Sequence, residues 1–249
     1  MSLPTVTLCA VSSVNVAATV VALERCLDAV DFAECLLFTD LPIVPAHPSI
    51  QVVRIARLAS AEAYSLFMQR DLASRTKTNH ILVVQWDGFV LDPLAWQDEF
   101  LDYDYIGASW PQFTTGGQVG NGGFSLRSRR LLEACLDPDF KASHPEDVAI
   151  CRQNRSLLID RHAIRFADLS VAERFSYERT PRGSASFGFH GVFNMPDAVG
   201  RDAFWRTYQL LDDRRTIRTD FRALLLSMLL GRDGLRRAGR MLCDRLLSR

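Results

Sequence analysis

Thr5 to Val11 alternates and then runs apolar, so that Val6, Leu8, Ala10 and Val11 predict a first strand. A polar turn follows, in which Ser12, Ser13 and Asn15 are each able to cap a helix. That helix carries Val16, Val20, Leu23 and Leu27 along one face, the spacing of an amphipathic helix packed on a sheet. Glu34 to Asp40 predicts a second strand; Pro42, Pro45 and Pro48 then break the chain into a loop, and Ile50 to Ile55 predicts a third strand. Ser60 opens a helix whose Tyr64, Phe67, Met68 and Leu72 read as core. From His80 a run of four apolar residues, Ile81 to Val84, has the composition of a strand buried on both faces at the centre of a parallel sheet.

Further along, Asp92-Pro93 starts a short helical segment through Phe100, and Tyr103 to Ala108 predicts a strand. Ser128 is placed to cap a helix bearing Leu131, Leu132 and Cys135; another starts at Glu146 with Ala149, Ile150, Leu157 and Leu158. Ile164 to Ala167 reads as a short strand and Val171 to Tyr177 as a helical turn. Phe204 to Leu211, Ile217 to Leu230 and Leu235 to Leu247 predict three closing helices. Strands alternating with helices predict an α/β fold with a mostly parallel central sheet flanked by helices, plus a C-terminal helical extension.

Composition narrows the classes. A chain of 249 residues with 48% hydrophobic content is able to bury one large core. A net charge of +0 provides no global attraction to nucleic acid, and none is expected as a partner. The six cysteines (Cys9, Cys26, Cys35, Cys135, Cys151 and Cys243) show no Cys-x-x-Cys spacing and read as small buried hydrophobes of a reducing compartment. No secretory signal is recognisable, and the apolar run Ala223 to Leu230 is too short to span a bilayer, so a cytoplasmic protein is expected. Leu235, Ala238, Leu242 and Leu246 form an apolar stripe beside many arginines, so residues 217–249 are able either to lie on an anionic membrane surface or to form a solvated outer face.

Several clusters carry candidate chemistry. Gln85-Trp86-Asp87-Gly88 closes the His80 strand, placing an acid where open α/β sheets bind ligands, although Asp-Gly also simply makes turns. Gly120, Gly122 and Gly123 around Asn121 let backbone approach a ligand, or mark a hairpin. Glu146-Asp147 opens a helix, where the dipole favours acids and where a general base would be held rigidly. His190 stands in Phe187-Gly-Phe-His-Gly191, free to be a ligand or a structural residue. The first β-α turn, with Ser12 and Asn15, offers amides to a phosphate or nucleotide, and Asp40 is a second acid at a strand end. Neither Gly-x-Gly-x-x-Gly nor a P-loop is present.

Taken in order, Gln85-Trp-Asp-Gly88, Tyr103-Asp-Tyr-Ile-Gly-Ala108, Asn121-Gly-Gly-Phe-Ser-Leu-Arg-Ser128, Pro145-Glu-Asp-Val148 and Phe187-Gly-Phe-His-Gly191 resemble the bacterial DUF5672 family, whose members resemble GT-A glycosyltransferases. The resemblance runs from about Thr5 to Gly191 and implies a GT-A-like domain over 1–200, with 201–249 as the extension. It implies a divalent metal, Mn²⁺ or Mg²⁺, on Asp87 and His190, with Gln85 standing where an Asp-x-Asp motif has its first acid. Donor-binding candidates are Ser12, Asn15, Asp40, Gln85, Trp86, Asn121, Gly122 and Gly123; Asp147 is the candidate base, assisted by Glu146. The implied activity is hexosyl transfer from a nucleotide sugar, a UDP-sugar, to a glycan or glycolipid acceptor in surface polysaccharide synthesis. A nucleotidyltransferase and a non-catalytic sugar-nucleotide module are the alternatives.

Overall fold

Alternating side chains point to opposite faces of a strand, and here both faces of the central sheet are covered. The computed structural model of the chain describes residues 1–180 and 185–247. β1 (Ser2–Val11), α1 (Val16–Ala29), β2 (Asp31–Thr39) and β3 (Ile50–Arg54) come first, then α2 (Ala61–Arg70), α3 (Leu72–Arg75) and β4 (His80–Val84). β5 (Tyr105–Ile106), β6 (Phe124–Ser128) and α4 (Arg129–Ala134) follow. Next come the short turn α5 (Glu146–Val148), a π-helical stretch Ala149–Gln153, α6 (Arg155–His162), α7 (Leu169–Phe175), β7 (Ser176–Tyr177) and β8 (Gly188–Phe189). The chain closes with α8 (Met195–Ala198), α9 (Arg201–Leu210), α10 (Phe221–Leu229) and α11 (Gly234–Leu247).

The six-stranded sheet has the order β3-β2-β1-β4-β6-β5. β1 pairs in parallel with β2 and β4, and β2 with β3, whereas β6 runs antiparallel to β4 and β5. Leu8, Ala10, Leu37, Leu82 and Val84 face one core together with α1, α9, α10 and Met241 of α11. Cys9, Val11, Phe38, Ile81 and Val83 face the other, against Phe67, Met68 and Leu72 of α2 and α3 and Leu132 of α4. Burial on both faces is why these strands are continuously apolar. Phe204, Tyr208, Phe221 and Met228 therefore lie in the same buried cluster as β1 and α1.

Several expected elements changed. Tyr103 to Ala108 yields only the two-residue β5, and Ile164 to Ala167 only an isolated bridge from Phe166 to Tyr105. Backbone pairing there is brief, the Asp104 amide donating to the Arg165 oxygen at 2.7 Å and the Ala167 amide to the Tyr105 oxygen at 3.0 Å. The Asp104 carboxylate supplements it by accepting from Ser128 Oγ, from the Arg165 amide at 2.7 Å and from Arg130. Cys243 is exposed, unlike the other five cysteines, because α11 turns Ala238 and Met241 inward instead. Among the described residues no helix is long and apolar enough to cross a membrane.

Candidate functional site

Strand order reverses between β1 and β4, which places a crevice at their carboxyl ends, the usual ligand position of an open α/β sheet. A cavity of about 410 Å³ lies there, with Ser12, Asn15, Gln85, Trp86 and Tyr64 in its wall. The antiparallel register Val84↔Phe124 brings the segment before β6 against the turn after β4. Gln85 and Gly88 exchange backbone hydrogen bonds of 3.2 and 3.1 Å, so Gln85-Trp86-Asp87-Gly88 is a turn, and that turn presents Asp87.

Asn121-Gly122-Gly123 is the hub. Asn121 adopts φ 66°, and its Oδ1 accepts from the Gly123 amide at 3.1 Å. Its Nδ2 lies 3.1 Å from Nδ1 of His190. The His190 Nε2 edge faces Asp87 Oδ1 at 3.6 Å and Gln85 Oε1 at 3.4 Å. On the other side of the hub, the Gly122 amide donates to Asp147 Oδ2 at 3.0 Å. Asp87, Gln85, His190, Asn121, Gly122, Gly123, Asp147 and Glu146 are thereby brought together. Asp40 is not among the residues lining the cavity; it follows β2 at the same sheet edge, with Oδ1 buried and unbonded. Asn15 lines the crevice but adopts φ 56° without capping α1 through its side chain. Its Nδ2 reaches Thr216 Oγ1 at 3.1 Å and its Oδ1 accepts from the Asp213 amide at 2.9 Å.

The two glycines are required by close approach. A Cβ on Gly122 would stand 2.1 Å from Glu146 Oε1, and one on Gly123 would stand 2.0 Å from His190 Nε2. Gly123→Ala is expected to cost about 1–3 kcal/mol in urea unfolding and to displace the His190 ring signal in NMR spectra. An unchanged ring signal would contradict the packing described here.

Electrostatics separates the two halves. Burial pulls the His190 imidazole down, but the Asp87 carboxylate and then Glu178, whose Oε1 is 3.2 Å from Nδ1, carry it up to about 10. Burial acts to raise Glu178, but its hydrogen bond with His190 holds it below the usual carboxylate value. Asn194 Nδ2 donates to the backbone oxygens of both Glu178 and His190, at 3.0 and 2.8 Å, fixing their segments together. Burial, and then the adjacent Glu146 carboxylate, raise Asp147 above its ordinary value. Glu146 itself is buried against Arg127, whose NH2 lies 2.9 Å from Oε1 with the Arg127 side chain fully enclosed.

Sequence reasoning assigned no role to Glu178 or Arg127 and read Tyr64 as core. Tyr64 does pack against the second core, and it also lines the crevice, where its hydroxyl accepts from Gln85 Nε2 at 3.1 Å. Glu178 follows the two-residue strand β7, which the sequence pattern reads as part of a helical turn, so nothing local marked it.

The chain belongs to the family described as "Protein of unknown function (DUF5672)", whose family model matches residues 48–190. No curated protein matches it. Among solved structures it is similar to glucosyl-3-phosphoglycerate synthase from Mycobacterium tuberculosis in complex with Mn²⁺, UDP and phosphoglyceric acid, at 13% identity over 66% of this chain and 67% of that one, with TM-score 0.45. The same synthase with glucosyl-3-phosphoglycerate, UDP and Mn²⁺ gives 13% identity over 66% and 68%, with TM-score 0.42. Likeness at that level assigns no activity.

Proposed function

We propose that the crevice transfers a hexosyl group from a nucleotide sugar, a UDP-hexose, to a hydroxyl of a glycan or glycolipid acceptor, with inversion at the anomeric carbon. One observation carries this reading: a single tripeptide, Asn121-Gly122-Gly123, ties the Asp87–His190 pair to Asp147. Two separated functions, one for a diphosphate and one for a proton, are then joined through one backbone segment.

Asp87 and His190 would suit a divalent cation that takes the place of the proton Asp87 favours on His190 Nε2. A carboxylate oxygen and an imidazole nitrogen 3.6 Å apart are able to take neighbouring positions around Mn²⁺ or Mg²⁺. The other ring nitrogen, Nδ1, is placed to donate to Glu178 Oε1 at 3.2 Å, the outer support that metal-binding histidines ordinarily have. Among the described residues no three His, Cys, Asp or Glu side chains form a metal cluster by themselves; diphosphate oxygens and water would fill the remaining positions. When bound, the cation supplies Lewis-acid stabilisation of the leaving diphosphate.

The chain's own groups do the rest. Gln85 and Trp86 line the donor cavity, and Gln85 Oε1 reaches to 3.4 Å from His190 Nε2. Asp147 accepts the acceptor hydroxyl's proton as that oxygen bonds to the anomeric carbon and the bond to the nucleoside diphosphate breaks. Its raised pKa makes it a better proton acceptor than an ordinary carboxylate. Glu146 is taken up by Arg127, so it positions the helix start rather than meeting substrate.

Calorimetry with UDP tests the site. Mn²⁺ is expected to tighten UDP binding to the wild type at least tenfold, and Asp87→Ala to abolish that gain. Equal Mn²⁺ dependence in Asp87→Ala would remove the metal assignment. Tight UDP binding with neither donor hydrolysis nor transfer across an acceptor panel would favour the non-catalytic module.

A further inference from the structure

The chain's zero net charge conceals a segregation: residues 201–249 hold twelve arginines against six aspartates and no lysine. α10 and α11 pack as a hairpin, burying Phe221, Leu224, Met228, Ala238 and Met241. Beside the buried seam opens a second cavity, of about 490 Å³. Its apolar wall includes Phe221, Leu225, Leu242 and Leu246. Its polar wall is made of arginines, and their partners differ. Arg215 is held by Asp213 at 2.8 Å, and Arg214 faces Asp244 at 3.5 Å. Arg218 and Arg222, both exposed, have no acidic partner among the described residues.

The surroundings are apolar as well. Leu226, Leu230, Leu235 and Leu246 are 62%, 79%, 85% and 65% exposed on the same two helices and their connection. Large exposed aliphatic groups crowded beside unpaired cations mark an interaction surface rather than a solvated face. An acidic protein partner would satisfy the arginines but would have to cover scattered leucines with its own apolar surface. An anionic bilayer offers phosphates at the level of the guanidinium groups and hydrocarbon immediately beneath, which matches both features.

We propose that the cavity between the Arg214–Ile217 turn, α10 and α11 seats the phosphate headgroup of an anionic membrane phospholipid. Arg218 and Arg222 bind the phosphate, while Leu242 and Leu246 reach the first methylenes of the acyl chains. The helices lie in the interface without crossing it. The assignment does not rest on the chemistry of the sheet crevice, with which it shares only the 213–217 turn, so either reading is able to fail without the other.

Co-sedimentation of the full chain with vesicles tests it. Binding is expected to vesicles of equal parts phosphatidylglycerol and phosphatidylcholine, and not to phosphatidylcholine alone. Arg218→Gln with Arg222→Gln should weaken partitioning about 30-fold, roughly fivefold per basic residue near the surface, with thermal unfolding unchanged. Leu242→Gln with Leu246→Gln should weaken it about tenfold or more at unchanged charge. Arg54→Gln with Arg57→Gln, an equal loss of charge on exposed residues near β3, should change it only slightly. Equal binding to both vesicle types, wild-type binding by the Arg218/Arg222 variant, or an equal loss from the Arg54/Arg57 variant would overturn the proposal. So would saturation of the cavity by soluble glycerol phosphate with no vesicle binding, which would assign it to a free phosphate compound.

Discussion

Replacing Arg127 with methionine is expected to cost about 3–5 kcal/mol of stability in urea unfolding. Arg127 is fully enclosed, and the side chain of its partner Glu146 is 8% exposed. Burial, the largest influence, works against the charged guanidinium, yet Tyr105, Glu146 and Tyr64 around it more than reverse that and keep it protonated. The same guanidinium donates from Nε to Ser125 Oγ at 3.0 Å and from NH2 to the Gly122 oxygen at 3.3 Å. Methionine removes all three bonds and leaves a carboxylate stranded away from water. For a chain of this length the loss corresponds to a fall of about 10 °C in Tm. The double variant Arg127→Met/Glu146→Leu should recover most of it, because a buried ion pair exchanges for apolar side chains at little cost. A loss below about 0.5 kcal/mol, the scale of a surface change, would mean that the pair is not buried in solution.

Asp147→Asn is expected to reduce hexosyl transfer about 10²–10⁴-fold, the usual cost of losing a general base. The substitution leaves an amide oxygen able to accept from the Gly122 amide, so the local backbone should hold and UDP binding should persist. The pH profile gives a second readout. A base works only when deprotonated, so activity disappears as pH falls through its pKa. Because burial and Glu146 raise that pKa, the acid limb of kcat/KM should lie above the ordinary carboxylate value of about 4. Glu146→Gln removes the neighbouring negative charge and should move the limb to lower pH. Wild-type turnover in Asp147→Asn, or an acid limb indifferent to Glu146→Gln, would transfer the role to another group.

The central strands were legible because their residues are apolar on both faces, and Ser128 capped its helix as its position implied, accepting from the Leu131 amide at 3.0 Å. Asp87 could be placed at a strand end from pattern alone. What pattern could not supply was pairing between residues distant in sequence. The Arg127–Glu146 ion pair spans 19 positions and the Glu178–His190 contact 12, while Gln85 meets His190 across 105. Asp104 shows the same limit: its carboxylate ties Ser128 and Arg165 together beside β5, and nothing local distinguishes such an acid from a loop residue. The leucine stripe of the last helix was visible too, but its inward face is set by Ala238 and Met241, smaller or more pliant side chains that fit against α10.

Asn15 belongs to the first turn of the chain, yet both ends of its amide are engaged by residues 213 and 216. The crevice is consequently finished by a turn 198 to 201 positions further along the polypeptide. Without that strap the sheet holds an incomplete cleft, so competence for ligand depends on a long-range docking step and arrives all at once rather than accumulating as the strands form.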